Sequence, residues 1–394
     1  MLNTTLLEQE FGYMKGHVYV NSSLVGMPPE RVKTACRRFM DDYVSTFNDS
    51  IKSDLLAKRI RAKENLAKLI NASPQEIIFE KNTTEGNSII AMGYSELKPG
   101  TNVIIADSEF PNALYPWINA QHLRGFELKI YHTINGQIPA QDIINMMDEH
   151  TRVVAISAVQ SGWGYFADLK AIGTECRKRG IILAVDAFQA LGRMQIDVQD
   201  CCIDYLACGA FKALMGTWGA AFVYCHPRLI GMISPSTVGY QSAKSHVLAP
   251  YVTEQFDKID FQDDIRKLEA GSQCTYSIES MSLGAELLLE FGMDSVEHHI
   301  LELERYLRSR LAALPLEVIT PDDPERLSGI IVLRFPPELT SLAREITERE
   351  HIHLTLRNGY IRMTFAVFNT MEDMDVLYHA LEELCKGIQP TAQL

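Results

Sequence analysis

Short apolar runs alternate with amphipathic helical segments through the middle of this chain, and that alternation limits its fold more than any other feature. NVIIA (102–106), VVAIS (153–157) and IILAVD (181–186) are continuous and rich in Val and Ile. Such runs read as strands buried on both faces, because a strand with one wet face would alternate polar with apolar residues. Helix-like stretches lie between them at 111–124, 140–149 and 168–179. Repetition of this kind gives a mainly parallel sheet covered by helices on both sides, an α/β architecture.

The flanks read differently. Residues 54–70 form an amphipathic helical pattern with Leu55, Ala62, Leu66 and Leu69 on one stripe. Ser73-Pro74-Gln75-Glu76 has the form of a capping box with proline at the first helical position. IIFE (77–80) reads as a short strand, and NTTEGNSII (82–90) turns straight into a helix. The stretch 241–267 is polar and loop-rich; Tyr240, Gln241 and Phe256 beside or within it could shape a pocket, although solvation is the usual fate of such residues. One long helical segment is expected over 278–314. IIVLRF (330–335), a helix near 340–350, HLTLR (353–357), IRMTF (361–365) and a helix at 371–386 then give an α+β pattern. The expected division is an N-terminal segment (1–20) packing on the small domain, a large domain (21–264) and a small C-terminal domain (265–394).

Length and charge narrow the function classes. A chain of 394 residues is too long for one small core. A net charge of −13 argues against nucleic acid or anionic membrane as a partner, since both need clustered Lys and Arg. No apolar stretch approaches the roughly 20 residues that span a bilayer. MLNTTLLEQEFGYMKG lacks the basic then apolar order of a signal peptide. The eight cysteines include no CxxC pair and no Cys/His cluster at zinc spacing. They read as mostly buried thiols in a reducing compartment, and the protein as cytoplasmic with no bound metal.

Two segments carry chemistry. In AVDAFQ (184–189), Asp186 ends a buried strand, where a carboxylate is costly unless something cationic meets it. Capping of the next helix is the ordinary explanation. Ligands, however, bind at the carboxyl ends of strands in open parallel sheets. In DYLACGAFKALMGTWG (204–219), Lys212 follows an apolar run and precedes a glycine-punctuated turn into another strand. A solvated loop lysine is the ordinary reading. Burial would lower its pKa and free the amine to attack an aldehyde. An aspartate and a lysine so placed are the pair that pyridoxal 5′-phosphate (PLP) requires. The acid keeps the pyridine nitrogen protonated, and the amine holds the aldehyde carbon and moves protons.

The run VDAFQALGRMQIDVQDCCIDYLACGAFKALMGTWGAAFVY (185–224) resembles the core of class V aminotransferases, a family that includes cysteine desulfurases, C–S lyases and isopenicillin N epimerase. The resemblance implies a PLP-dependent fold type I enzyme. It makes Lys212 the cofactor lysine, Asp186 the partner of the ring nitrogen, and Ser161 and Gln189 ligands of the phenolic oxygen. Thr83 and Thr84, in the "TTE" turn, would bind the phosphate, as suits a helix N-terminus. Phe110, in EFPN (109–112), would stack on the ring. Ser272, in LEAGS (268–272), would reach the phosphate of a partner subunit, which implies a homodimer with shared sites. Asn21, in YVN (19–21), falls in the substrate loop, and Arg357 would hold the substrate α-carboxylate.

Two departures from the family pattern stand out. Phe211 replaces the usual histidine before the lysine, and Gly209 replaces a common Ser or Thr. RNGY (357–360) also passes directly into the strand IRMTF, leaving no place for the loop cysteine with which desulfurases hold a persulfide. The chain therefore reads as closest to the C–S lyase and epimerase branches. β-Elimination on a cysteine-like substrate is the first expectation, with aminotransfer to a 2-oxo acid or epimerisation as alternatives. A silent PLP-binding scaffold is disfavoured by the intact site residues. A dinucleotide oxidoreductase is disfavoured because no GxGxxG opens a helix after the early strands.

Overall fold

The computed structural model describes residues 2–45, 50–244 and 258–388. Phe256 lies outside them. A short strand, β1 (Val18–Tyr19), precedes the main sheet. That sheet comprises β2 (Ile77–Glu80), β3 (Asn102–Ala106), β4 (Glu127–Tyr131), β5 (Thr151–Ser157), β6 (Ile182–Asp186), β7 (Tyr205–Gly209) and β8 (Ala221–Cys225). The spatial order is β2-β8-β7-β6-β5-β3-β4. The five strands from β7 to β4 are parallel, and β8 runs antiparallel between β7 and β2.

The expected strands form because their alternate residues feed two separate cores. Ile104, Val154 and Leu183 enter one, while Val103, Val153 and Ile182 enter the other. Strand β4 is an addition to the sequence reading. It lies at the sheet edge, with Glu127 exposed and Leu128 to Ile130 only partly buried, so ELKIY lacks the unbroken apolar signature of its neighbours.

The small sheet contains β9 (Glu317–Val318), β10 (Ile330–Arg334), β12 (Thr355–Arg357) and β13 (Tyr360–Thr364), in the antiparallel order β12-β13-β10-β9. Strand β11 (Ile352–His353) pairs in parallel with β1. Asn21 extends this tie with a bridge to Thr364.

Three local expectations change. The segment expected as one long helix is two, Thr275–Phe291 and Met293–Leu311, broken at Gly292, whose φ of 79° ends the first. The capping box at Ser73 is present, with Ser73 N–H donating to Glu76 at 2.8 Å, but it caps a single 3₁₀ turn. Of the eight cysteines, Cys176, Cys208 and Cys225 are buried and the other five only partly so. Among the described residues, no helix is long and apolar enough to cross a membrane.

Candidate active site

Strands β5, β6 and β7 end together, with Ser157 level with Asp186 and Asp186 level with Ala207. The Asp186 carboxylate accepts hydrogen bonds from Asn87 Nδ2 (2.8 Å) and from the Phe188 amide (3.0 Å). Burial raises its pKa; these two bonds and the charge of Lys212 oppose the rise. Lys212 lies in the turn after β7, with Nζ 3.9 Å from the centroid of the Phe188 ring and 5.9 Å from that of Phe110. Burial lowers the lysine pKa to about 8, against the pull of Asp186. A neutral, nucleophilic amine is therefore accessible near neutral pH.

Thr83 opens the helix Thr83–Gly93, whose N-terminus is capped by Asn82 Oδ1 accepting from the Glu85 amide at 2.9 Å. Thr83 is buried, and its Oγ1 has no hydrogen-bond partner among the described residues. An orphaned buried hydroxyl beside helix N-terminal amides suits a phosphate. The same helix supplies Asn87, so one element serves both ends of the site.

Steric crowding accounts for the glycine at position 209. A Cβ there would lie 2.7 Å from the Phe188 ring and 2.8 Å from Thr83 Oγ1. Phe188 occupies the space that a Ser or Thr would need. Phe211 then meets Phe188 edge-on (5.0 Å, 87°) and stacks on Trp218 (5.2 Å, 24°). Three aromatic rings thus wall the region around the lysine.

On the opposite side, Gln189 Nε2 donates to Ser161 Oγ (3.1 Å) and to the Ser23 carbonyl (3.2 Å). Its Oε1 accepts from Arg193 Nη2 at 3.2 Å, which fixes the amide's orientation. Arg193 is fully buried, and burial lowers its pKa to about 9. Glu109 is also buried and accepts from the Ser157 amide, the Ser157 hydroxyl and Gln160 Nε2. Burial raises its pKa to about 7 despite those bonds. Glu109 thus ties the loop carrying Phe110 to the end of β5.

Thr83, Thr84, Asp186 and Lys212 line one cavity of about 320 Å³. Phe110, Ser161 and Gln189 line it too. A second cavity of about 540 Å³ shares Phe110 and Ser161 with it and is walled by the small sheet. Arg357 and Arg362 line that second space. Arg357 is exposed, whereas Arg362 is partly buried. Arg362 Nη1 donates to the Ser161 carbonyl (3.0 Å) and hydroxyl (3.2 Å), and Nη2 donates to Thr355 Oγ1 (3.3 Å). Thr355 in turn donates to Asn21 Oδ1 at 2.6 Å, so Asn21 braces the arginine through Thr355. Ser272 is exposed and lines a separate concavity with Gly271 and Ser236.

Asn87, Phe188, Arg193 and Arg362 complete the site without having been singled out from the sequence. Arg362 carried a readable signal, since it lies on the predicted strand IRMTF (361–365), shortly after Arg357. Asn87 also had one, lying one helical turn beyond Thr83. Nothing in the sequence marks Phe188 or Arg193.

The profile of the family described as Aminotransferase class-V matches residues 18–377. A probable cysteine desulfurase of Methanothermobacter thermautotrophicus is 24% identical, over 97% of this chain and 98% of its own. The cysteine desulfurase CsdA of Escherichia coli superposes with a TM-score of 0.84 at 22% identity, covering 98% of this chain and 99% of its own. The cystine C–S lyase C-DES, solved with its product cysteine persulfide, superposes with a TM-score of 0.82 at 19% identity, over 95% of this chain and 99% of its own. At these identities the superpositions establish the fold.

Proposed function

The chain belongs to the class V aminotransferase family of PLP-dependent enzymes, and on that premise we propose that it removes the β-substituent of a cysteine-like amino acid without a persulfide cysteine. The observation that carries this reading is the turn between β12 and β13. Arg357 pairs with Tyr360, so only Asn358 and Gly359 connect the strands, and Gly359 has a φ of 76°. A two-residue turn has no room for a mobile loop, and no cysteine lines either cavity. Cys208 belongs to β7 itself and is buried, with its thiol pKa driven well up by burial.

The residues fit the cofactor. Thr83, Thr84 and the helix amides would hold its phosphate, Asp186 its ring nitrogen, Gln189 and Ser161 its phenolic oxygen, and Lys212 its aldehyde carbon. Phe110 would cover one face of the ring. Bound there, PLP supplies an electron-withdrawing ring that stabilises negative charge at the substrate α-carbon. The Asp186 carboxylate would keep the ring nitrogen protonated. The Lys212 amine would take the Cα proton. The electron pair left at Cα would form the Cα=Cβ bond as the Cβ–S bond breaks, and sulfur would leave as a thiolate that takes the proton held by Lys212. The released enamine hydrolyses to pyruvate and ammonia. Arg362, oriented by Ser161 and by Thr355 with Asn21, binds the substrate α-carboxylate, with Arg357 further out. Ser272 lies exposed, away from the Lys212 cavity of its own chain, which supports a homodimer in which each chain completes the other's phosphate site.

The deciding assay incubates the holoenzyme with L-cysteine, L-cystine and S-substituted cysteines, without any oxo acid. Sustained release of pyruvate is expected, together with sulfide from L-cysteine, a persulfide from L-cystine or a thiol from an S-substituted cysteine. A single half-turnover that resumes only when a 2-oxo acid is added would overturn the lyase reading in favour of aminotransfer.

A further inference from the structure

The outer cavity carries a charge imbalance that the α-carboxylate alone does not use. Strand register places two rows of side chains on its wall: Thr355, Arg362 and Val332 in one, and Arg357, Tyr360 and Arg334 in the other. Arg334 is neutralised by Glu317, at 2.8 and 3.0 Å to its two oxygens. Arg362 meets only neutral oxygens, and its Nε is buried with no partner. Arg357 has neither a hydrogen bond nor an ion pair among the described residues. Two guanidinium groups thus face one cavity without a carboxylate, in a chain whose net charge is −13. The cavity's own acid, Glu109, is turned to Ser157 and Gln160.

We propose that this site takes an amino acid with a second, distal carboxylate, the α-carboxylate on Arg362 and the distal one on Arg357. The inference rests on the amino-acid reading above and narrows its substrate class. Arg357 and Arg362 are diagonal neighbours on adjacent strands, about 7–8 Å apart at the backbone. That span suits a substrate whose second carboxylate lies a few bonds beyond the α-carbon. Arg357 also belongs on the outer side of the pair, because Arg362 reaches Ser161 at the edge of the Lys212 cavity and Arg357 does not. The distal carboxylate could be borne by an S-linked substituent or by the side chain of an acidic amino acid. Both present the same group to Arg357.

The test is a stopped-flow titration of the holoenzyme's cofactor absorbance, read before turnover, with charged and neutral isosteres. One pair is S-carboxymethyl-L-cysteine and S-carbamoylmethyl-L-cysteine; the other is L-glutamate and L-glutamine. At least one carboxylate member is expected to bind about tenfold more tightly than its amide, the scale of one charge-assisted hydrogen bond. Which pair shows the preference identifies the substituent. Arg357→Gln should collapse the ratio to near one. Arg362→Gln should weaken both members while keeping the ratio. Equal binding within both pairs, with L-alanine still perturbing the band, overturns the proposal and leaves the amino-acid reading standing. A preference that survives Arg357→Gln also overturns it. If no amino acid perturbs the band, the underlying reading fails and the proposal falls with it.

Discussion

Replacing Gly209 with serine restores the residue type common in the family and supplies a hydroxyl beside the phosphate cradle. Sequence reasoning alone would predict tighter cofactor binding. The structure predicts the opposite. The added Cβ would stand 2.7 Å from a carbon of the Phe188 ring and 2.8 Å from Thr83 Oγ1, each well inside ordinary contact. Phe188 cannot simply withdraw, because Phe211 packs on its edge and Phe211 is itself stacked on Trp218. Either Thr83 or Phe188 must shift, and both line the cofactor cavity. Overpacking of this kind costs about 1–3 kcal/mol. If it falls on the cofactor-bound state, affinity drops about 5- to 150-fold, at about 1.4 kcal/mol per tenfold change. The assay is spectroscopic titration of apo-protein with PLP, comparing wild type, Gly209→Ser and the double variant Gly209→Ser/Phe188→Ala. The single variant should bind more weakly, and the double variant should recover part of the loss. Serine binding PLP as tightly as glycine, or more tightly, would refute the steric argument.

Lys212→Ala should lose the long-wavelength cofactor band on dialysis; persistence of the wild-type band would exclude Lys212 as the cofactor lysine. In apo-protein, Lys212 should react with an acylating reagent with a midpoint near pH 8, because burial penalises its charged form; a midpoint at the ordinary lysine value of about 10.4 would contradict its burial. The sign for stability follows. Between that midpoint and the free-lysine value the unfolded chain holds a proton that the folded chain has released, so this residue makes apo-protein stability rise with pH across the interval. Asp186→Asn should keep the fold, checked by circular dichroism, yet lower kcat by at least about a hundredfold, the lower end of what a positioned proton-holding group contributes; an unchanged kcat would remove Asp186 from the ring nitrogen.

The inner part of the site was legible because its residues sit where sequence pattern and chemistry coincide. Asp186 ends an unmistakable buried strand, Thr83 begins a helix, and Lys212 precedes a glycine turn. The outer part depends on contacts that no local pattern encodes. Arg362 and Arg357 are both strand arginines in sequence. Only the β12–β13 register shows that one reaches Ser161 while the other stays at the mouth. Phe188 and Arg193 were illegible for a related reason. Each follows Asp186 within a few residues and looks like ordinary core, and each acts through a partner brought by another element. The break at Gly292 was a failure of period, since helical spacing continues on both sides and only the positive φ reveals the interruption.

The parallel pairing of Val18–Tyr19 with Ile352–His353 has a consequence in time. Among the described strands, β1 has its partner furthest along the chain. The residues lining the Lys212 cavity are all in the chain by Ala220, whereas Arg357 and Arg362 of the outer cavity come much later. At about 5–20 residues per second, the intervening stretch of about 140 residues takes about 7 to 30 seconds to synthesise. During that interval the nascent chain holds the lining of its inner cavity without the arginines of the outer one.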